Sequence, residues 1–250
     1  MNWHERYLQQ AKWTADLRAY LFEKTGLSRA NRVLEIGCGT GAVLSTLQTS
    51  ARLYGLDRDA AALKTGAQSI VYPPKNTPQV CFTRGDAHTL PYAIQSFDIV
   101  YCHFLLLWVN NPLRALKEMK RVTKSNGFVL AIAEPDYTNR TDQPDEFRAL
   151  GKLQNESLKR QGANIGIGAR LAELFQRADI KIIETGVIQG RESGPLSPEE
   201  WQSEWEVMKS DLVGFVPCWR ISRLRKLDED ARKNGTRLLN VPTYFAWGQV

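Results

Sequence analysis

Two hydrophobic patterns alternate along the chain. Short continuous apolar runs are typical of strands buried on both faces of a parallel sheet, and stripes at intervals of three and four are typical of helices that pack on it. The strand-like runs lie at 33–36, 52–57, 80–84, 98–102, 127–132, 180–185 and 241–250. Between them, the spacing predicts a helix that begins near Ala42 and continues through Leu44 and Leu47, and another from Pro112 to Val122. This alternation indicates an α/β fold with one mostly parallel sheet.

Three stretches lie outside this alternation, and each has helical spacing. A helix from about Trp3 to Phe22 has one mostly apolar face, formed by Trp3, Tyr7, Ala11, Thr14, Leu17 and Leu21. The second stretch has two stripes, formed by Phe147, Leu150, Leu153 and Leu158 and by Leu171, Leu174 and Phe175. The third begins at Ser197-Pro198, where serine suits the cap and proline the first turn of a helix, and runs to about Lys233. We expect a helical lid over the sheet, in which some of five tryptophans line an apolar pocket, namely Trp3, Trp13, Trp201, Trp205 and Trp219.

The segment that follows the first strand has the strongest functional signal. Glu35 and Ile36 lead into Gly37-Cys38-Gly39-Thr40-Gly41, which forms the pattern E-x-G-x-G-x-G. Glycine allows a sharp turn and lets a ligand lie against the main chain, where a Cβ atom would collide. The loop therefore predicts a nucleotide site at the start of a helix. Gly37, Gly39 and Ala42 also satisfy the dinucleotide fingerprint G-x-G-x-x-G/A. This pattern alone therefore does not separate a dinucleotide from another cofactor that contains a nucleoside.

An acid ends the second strand, in the run Arg52-Leu53-Tyr54-Gly55-Leu56-Asp57. A carboxylate only accepts hydrogen bonds, so it pairs well with the two hydroxyl groups of a ribose. Asp57 is therefore a candidate ribose ligand with either class of cofactor. Asp59, two residues later, is the better candidate for the cap of the following helix.

The end of the third strand, Gly85-Asp86-Ala87, distinguishes between the two kinds of cofactor. Dehydrogenases, which bind dinucleotides, have no regular equivalent of Asp86. Leu90-Pro91-Tyr92 and Phe97-Asp98-Ile99-Val100 follow it in order. From about Arg32 to Pro135 the chain resembles the cofactor-binding core of the class I S-adenosylmethionine-dependent methyltransferases. The resemblance is to the small-molecule branch, which includes methyltransferases of ubiquinone, menaquinone and natural-product biosynthesis.

The resemblance implies a Rossmann-like sheet of seven mostly parallel strands with helices on both faces, in which the last strand inserts antiparallel between strands five and six. It implies one methyltransferase domain over 1–250, with a helical lid at 1–30, the cofactor-binding core at 31–135, a helical insertion at 136–178, and strands six and seven at 179–250 with a helical insertion at 195–235. The implied cofactor is S-adenosylmethionine, with S-adenosylhomocysteine as product, and Asp86 would receive the adenine amine. The expected cofactor contacts are Tyr7, Glu35, Gly37, Cys38, Gly39, Gly41, Asp57, Arg58, Asp86, Ala87, Cys102 and His103.

Strand topology places two ionisable residues nearest the reacting methyl group. His103 follows the fourth strand and Glu134 closes the fifth, and ligands of open α/β sheets lie outside the carboxyl ends of the strands. Both are candidate catalytic residues, since either could remove a proton from the acceptor. The alternative for His103 is a histidine that packs on the cofactor or bonds to a backbone carbonyl.

The predicted function is transfer of a methyl group to an oxygen, nitrogen or carbon atom of a partly apolar small molecule. The alternatives are a methyltransferase that acts on nucleic acid or protein, a non-catalytic S-adenosylmethionine-binding subunit, and a nicotinamide dehydrogenase. An N-P-P-Y-type motif, typical of enzymes that methylate the amino groups of nucleic acids, is absent after the fourth strand, where Cys102-His103-Phe104-Leu105 stands.

Composition changes this interpretation little. The 250 residues carry a net charge of +6, and the basic stretch at 220–233 is interrupted by three acids, which favours a solvated helix face over a nucleic-acid site. The four cysteines lie far apart, three of them in or beside predicted buried strands, so neither a metal site nor a disulfide framework is indicated. Without an apolar run long enough to span a bilayer or a secretory leader, we expect a cytoplasmic protein, monomeric or homodimeric, with no nucleic-acid partner.

Overall fold

The computed structural model describes residues 3–69, 80–188 and 197–250. Within these ranges the main sheet has seven strands, β1 (Arg32–Ile36), β2 (Arg52–Asp57), β3 (Val80–Arg84), β4 (Phe97–Cys102), β5 (Thr123–Pro135), β7 (Lys181–Ile188) and β9 (Thr243–Gln249). Two short strands, β6 (Thr141–Gln143) and β8 (Leu238–Asn240), form a separate antiparallel pair that the sequence did not predict. The order in the main sheet is β3-β2-β1-β4-β5-β9-β7, and β9 runs antiparallel to both of its neighbours. The predicted position of the last strand is therefore confirmed.

Helices cover both faces of the sheet, as the fold class predicted. Those in the described ranges are α1 (Trp3–Trp13), α2 (Ala15–Lys24), α3 (Ala60–Ser69), α4 (Pro112–Val122), α5 (Glu146–Arg160), α6 (Leu171–Arg177), α7 (Pro198–Leu212) and α8 (Cys218–Lys233). On one face Leu116 of α4 and Phe175 of α6 belong to the buried core, and on the other Leu21 of α2 and Leu63 of α3 do. Among the described residues, no helix is both long and apolar enough to cross a membrane.

The N-terminal helix is broken where the sequence predicted one continuous element. Thr14 lies between α1 and α2 with φ −111° and ψ 12°, outside the helical region. Its hydroxyl lies 3.4 Å from the carbonyl of Ala11, and a β-branched residue with a hydroxyl competes in this way with the helical hydrogen bonds. The break directs the Thr14 side chain towards the carboxyl edge of the sheet, where it meets His103.

The helix predicted from Ala42 onwards is wrong. Only a 3₁₀ turn, Leu44–Thr46, follows the glycine loop. The Ser45 and Thr46 hydroxyls donate to the carbonyls of Ala42 and Val43 at 2.9 and 2.7 Å, and such local bonds compete with helix formation. The glycine loop therefore opens into a short turn and not into the N-terminus of an α-helix.

Cysteine burial also departs from the expectation at one position. Cys38 and Cys102 are buried, but Cys81 is exposed although it lies in β3. β3 is the edge strand of the sheet, so one of its sides has no neighbouring strand to cover it.

The two insertions meet in a third apolar core, formed by α5, α7 and α8. From here on, the lid means these three helices alone, without the N-terminal helices α1 and α2. The buried side chains of this core come from the three helices and the loop that joins the last two, and they include Phe147, Leu150, Trp205, Leu212, Val216, Ile221 and Leu224. Ser197 caps α7 and Pro198 lies in its first turn, as predicted, and the side chain of Glu200 completes a capping box. The indoles of Trp201 and Trp205 both donate to Asp228, at 2.7 and 2.9 Å, so these two rings hold the lid together. Residues 195 and 196, at the start of the predicted insertion, lie outside the described residues.

Part of the basic stretch at 220–233, on α8, is paired with acids of the same helix. Lys226 and Lys233 bind Glu229 at 3.1 and 2.6 Å, both at exposed positions. Arg237, just after α8, is buried and donates to Asp228 and to Asp142 of β6 at 2.8 and 2.9 Å. The stretch is thus a solvated helix face at Lys226 and Lys233.

Candidate active site

The glycine loop closes the carboxyl end of β1. Gly37, Gly39 and Gly41 have φ values of +71°, +51° and +71°, in the left-handed region that glycine adopts without strain. The amides of Gly37 and Cys38 both donate to the carbonyl of Leu56, at 2.7 and 3.1 Å, and tie the loop to β2. The motif therefore satisfies the geometry of the turn before any ligand is considered.

Asp57 lies at the carboxyl end of β2 and faces this loop. One carboxylate oxygen accepts a hydrogen bond from the amide of Gly39 at 2.7 Å, and the other from the amide of Asp59 at 2.9 Å. A carboxylate can accept about four hydrogen bonds, so two positions remain for a ligand. Asp59 accepts from the amides of Ala61 and Ala62 at 2.8 and 3.2 Å and caps α3, as predicted.

Helix α1 lies across the glycine loop. A Cβ atom on Gly39 would be 3.0 Å from Cε2 of Tyr7, so the tyrosine ring contacts the loop directly. His4 adds a contact between its Nδ1 and Oγ1 of Thr40, at 2.8 Å. Burial, followed by the charge of Asp57, raises the pKa of Tyr7. Tyr7 thus stands next to two of the predicted cofactor ligands.

Asp86 lies beyond the carboxyl end of β3 with 69% of its side chain exposed. Its Oδ1 accepts from the amide of His88 at 2.8 Å and lies 2.7 Å from Nδ1 of the same residue. The backbone bond from His88 is the main cause that lowers the pKa of Asp86. Ala87, next in the chain, is buried, and Arg58, after β2, is exposed. All three predicted contacts lie along the same edge of the sheet as the glycine loop.

Glu35 is buried in the interior at the end of β1, with 2% of its surface exposed. Its carboxyl group accepts the hydroxyl of Tyr101, from β4, at 3.1 Å. Burial raises the pKa of Glu35 to about 8, although the Tyr101 hydrogen bond and the positive charge of Arg18 oppose this shift. These contacts join β1 to β4 and α2, and a direct contact of Glu35 with a cofactor stays a prediction.

The side chains of two predicted contacts, Cys38 and Cys102, face the protein interior. Sγ of Cys38 would lie 2.8 Å from a Cβ atom on Gly55 of β2, and Sγ of Cys102 lies 3.9 Å from Oε1 of Glu134. Burial raises the pKa of both thiols well above its usual range. A ligand would therefore meet these residues through their main chain.

His103 follows β4 and lies against the N-terminal helices. Its Nε2 is 2.9 Å from the Thr14 hydroxyl oxygen, and its ring meets Phe104 edge-on with 4.6 Å between the centroids. Burial, followed by the charge of Arg18, lowers the pKa of His103 to about 3. The imidazole is therefore neutral at neutral pH, and one of its nitrogens is engaged by Thr14.

Glu134 is fully buried at the carboxyl end of β5. Its carboxylate accepts the amides of residues 105–107 at 3.0, 2.8 and 3.1 Å. Burial raises its pKa to about 7, against the effect of these three hydrogen bonds. The bonds hold the turn after β4, in which Phe104 has a φ of +53°. Glu134 thus supports the segment that carries His103, and its role as a catalytic residue stays a prediction.

Arg18 belongs to the site although no sequence motif marked it. It is 5% exposed and donates to the hydroxyls of Thr14 and Thr46 at 3.2 and 2.7 Å and to the carbonyl of Ala11 at 2.7 Å. A signal was present, because a buried hydroxyl needs a partner and Thr14 interrupts an otherwise apolar stripe. Arg18 is one helical turn beyond Thr14 on the same face, where such a partner can reach it.

Comparison with known proteins agrees with this architecture. A family model described as a methyltransferase domain matches residues 34–131. A malonyl-(acyl-carrier protein) O-methyltransferase of Erwinia pyrifoliae is 32% identical over 230 residues, which cover 86% of each chain. A demethylmenaquinone methyltransferase of Renibacterium salmoninarum is 35% identical over 162 residues, which cover 63% of this chain and 64% of the relative. A 37.1 kDa transposon protein of Streptomyces fradiae is 31% identical over 178 residues. This match covers 67% of this chain but only 49% of the relative.

Solved structures agree in fold. The phosphoethanolamine N-methyltransferase 2 of Haemonchus contortus, in complex with S-adenosyl-L-methionine, superposes with a TM-score of 0.59 at 14% identity, over 97% of this chain and 56% of that one. The cyclase SpnF superposes with a TM-score of 0.60 at 20% identity, over 94% and 80%. At such identities the likeness concerns the fold alone, and one fold serves several chemistries. The family follows from the sequence match along most of both chains: the protein belongs to the class I S-adenosylmethionine-dependent methyltransferases.

Proposed function

We propose that the protein transfers a methyl group from S-adenosylmethionine to an oxygen, nitrogen or carbon atom of a partly apolar small molecule. The observation that carries the proposal is the carboxyl edge of the sheet, where a left-handed glycine loop is bonded to Asp57 and covered by Tyr7. When bound, the cofactor supplies an electrophilic methyl group on a sulfonium centre. The protein aligns the acceptor with this group and excludes water.

The residues at this edge fit the cofactor by their chemistry. Two acceptor positions on Asp57 match the two hydroxyls of a ribose, and the exposed carboxylate of Asp86 suits the amino group of adenine. Because the glycines of the loop have no side chains, the amino-acid end of the cofactor can lie directly against the main chain.

A dinucleotide fits this edge less well. The pyrophosphate of a dinucleotide rests on the N-terminus of the helix that follows the glycine loop. In this protein only the 3₁₀ turn Leu44–Thr46 follows the loop. Such a short turn has few aligned peptide dipoles to favour an anion. This difference supports S-adenosylmethionine over a nicotinamide cofactor.

His103 is the candidate base that would remove a proton from the acceptor. With a pKa of about 3 the ring is neutral, so it can accept a proton, but it is a weak base until an acceptor changes its surroundings. If the acceptor is a hydroxyl group, we expect His103→Ala to lower turnover by roughly 10²- to 10⁴-fold, with little change in cofactor affinity. If the ring only packs, the same variant loses cofactor affinity or thermal stability and keeps nearly normal turnover at saturation.

Calorimetric titration of the protein with S-adenosylmethionine, S-adenosylhomocysteine, NAD(H) and NADP(H) tests the cofactor. We expect the first two to bind and to raise the melting temperature, because a ligand specific to the folded state stabilises it. Tight binding of a dinucleotide without binding of S-adenosylmethionine would contradict the proposal.

Methyl transfer is tested separately with methyl-labelled cofactor. The names of two relatives suggest the first acceptors to try, demethylmenaquinone and a malonyl thioester of acyl-carrier protein. Product with either one supports an enzyme. Cofactor binding without turnover on these and a wider set of small acceptors would favour a binding subunit.

A further inference from the structure

Arg6 is a buried cation without a carboxylate partner. Only 8% of its surface is exposed, and its Nη1 donates to Oε1 of Gln9 at 2.9 Å. The guanidinium also lies over the ring of Trp13, 4.8 Å from the centroid. Its Nε is fully buried and has no hydrogen-bond partner, and no ion pair of Arg6 is found in the part of the chain that the structure describes. Burial is the main cause that lowers the pKa of Arg6, and the negative charges of Glu204 and Asp211 offset this effect only in part. Because a buried charge is costly unless it is compensated, the free Nε of Arg6 favours a further anionic acceptor.

Two more buried polar atoms have no hydrogen-bond partner among the described residues. The amide nitrogen of Gln9, a residue that is itself only 8% exposed, has no acceptor, and Oδ1 of Asn155 in α5 has no donor. Gln9 orients the guanidinium through its oxygen, which leaves its Nε2 and the Nε side of Arg6 free to donate. Buried polar groups are almost always hydrogen-bonded, and two free donors on one helix face suggest a ligand that supplies acceptors.

The position of this cluster matches the acceptor side of the site. The residue next to Arg6 is Tyr7, which contacts the glycine loop. The charges that act on Arg6 are those of Glu204 and Asp211 in the lid, and Tyr137, which follows the end of β5, acts on it as well. Asn155 donates to the carbonyl of Tyr137 at 2.8 Å. Arg6, on α1, is therefore near enough to α7 and to Tyr137 to interact with their charges, and its neighbour Tyr7 contacts the edge of the sheet where the cofactor is proposed to bind. Ligands of such sheets lie outside the carboxyl ends of the strands, so this is the side where we place the acceptor.

We propose that the methyl acceptor carries an oxyanion, a carboxylate or a phosphate, which binds to Nε of Arg6 and Nε2 of Gln9. The guanidinium charge shortens and strengthens the hydrogen bond from Nε of Arg6, and Nε2 of Gln9 supplies a second, uncharged donor. The rest of the acceptor extends towards the lid and the ends of β4 and β5. The inference rests on the proposed function, because it places the anion at the acceptor side of a methyltransferase site.

The test uses the full chain saturated with S-adenosylhomocysteine and titrated by calorimetry. The probes are straight-chain acids from butanoate to decanoate and benzoate, each paired with its primary amide, together with hexyl phosphate and phenyl phosphate. We expect at least one anionic probe to bind roughly 10- to 100-fold more tightly than its uncharged amide, as hydrogen bonds to a charged group imply. A preference for the acids assigns a carboxylate to the acceptor, and a preference for the phosphates assigns a phosphate.

Arg6→Met and Gln9→Met identify the residues. Arg6→Met is expected to remove the preference for the anion and to leave the affinity for S-adenosylhomocysteine unchanged. The matched control is Arg148→Met, because Arg148 is 65% exposed on α5 and should have no effect on either affinity. A structural arginine would lower the melting temperature when replaced, whereas removal of an unpaired buried charge leaves it unchanged or raises it.

The outcomes separate this inference from the function on which it rests. Failure of the parent protein to bind S-adenosylhomocysteine would refute the proposed function before any probe is added. Binding of S-adenosylhomocysteine without preference for any anionic probe would overturn the oxyanion site alone. A preference that persists in Arg6→Met, together with a fall in melting temperature, would assign Arg6 to the scaffold and overturn it as well. Gln9→Met keeps the test valid if Arg6→Met does not fold, because the expected weakening of anion binding must then be seen in that variant.

Discussion

Two neighbouring acids make the sharpest test of the cofactor site. Asp57 and Asp59 are two residues apart, and both accept backbone amides, but they do so for different elements. Asp57 holds the glycine loop through the amide of Gly39, whereas Asp59 holds the first turn of α3. Alanine at either position removes the same chemical group, so any difference between the variants reports on position.

The expected magnitudes follow from these contacts. Asp57→Ala removes two hydrogen bonds of 2.7 and 2.9 Å and the acceptors proposed for the ribose, so cofactor binding should weaken by roughly 1–3 kcal/mol, about 5- to 150-fold. Asp59→Ala removes a helix cap, which lowers the free energy of unfolding by about 0.5–2 kcal/mol. Its effect on cofactor affinity should be less than about 3-fold, because the oxygens of Asp59 are directed at α3.

The assay combines titration calorimetry with S-adenosylhomocysteine and urea unfolding without ligand. Asp57→Ala is expected to lose affinity, and Asp59→Ala to lose stability with affinity retained. Equal affinity of Asp57→Ala and the parent protein would refute the assignment of Asp57 as a cofactor ligand. Equal losses of affinity in both variants would show that the acids act through the general stability of the loop.

Three further variants test the surroundings of the site. Gly39→Val should weaken the binding of S-adenosylhomocysteine at least as much as Asp57→Ala, because Gly39 has a φ of +51° and the new side chain would press on Tyr7. Gly162→Val is the control for backbone strain, since Gly162 has a φ of +89° and no atom nearby, and this variant should bind normally in the same titration. Glu134→Gln should lower the free energy of unfolding by about 1–3 kcal/mol in urea, because its amide group would face a backbone donor now bound by an oxygen. Glu35→Gln should be tolerated at pH 7 and should flatten the pH profile of stability. Because burial raises the pKa of Glu35 in the folded protein to about 8, its contribution to the free energy of unfolding is fully present below the unfolded pKa of 4.5 and is lost as the pH rises towards 8. If Glu35→Gln and the parent protein show the same slope of unfolding free energy against pH between these limits, the shift is contradicted.

Features that depend on a few adjacent residues were predictable from the sequence. The glycine motif requires left-handed turns wherever it occurs, and the capping box at Ser197 and Glu200 is a local arrangement. Asp57 was predicted to end the second strand and Asp59 to cap the helix that follows, and both positions are as the sequence indicated. In each case the reason lies in backbone hydrogen bonds within a few residues of the motif.

The helix predicted from Ala42 failed because tertiary and local polar contacts outweighed hydrophobic spacing. Val43, Leu44 and Leu47 are all buried, as a helix would have them, yet a turn buries them equally well. Spacing records which side chains are buried and does not distinguish a short turn from a helix of the same length.

The strands of the main sheet and the edge at which we propose that the cofactor binds could be predicted from residue type, because strands buried on both faces are continuously apolar and tight turns require glycine. The surroundings of that edge depend on tertiary packing. The break at Thr14 brings His103 and Arg18 to one hydroxyl, and α1 buries Arg6 with no hydrogen-bond partner for its Nε. These contacts join residues that are far apart in the chain, and they depend on how separate elements pack, which no local pattern of residues encodes.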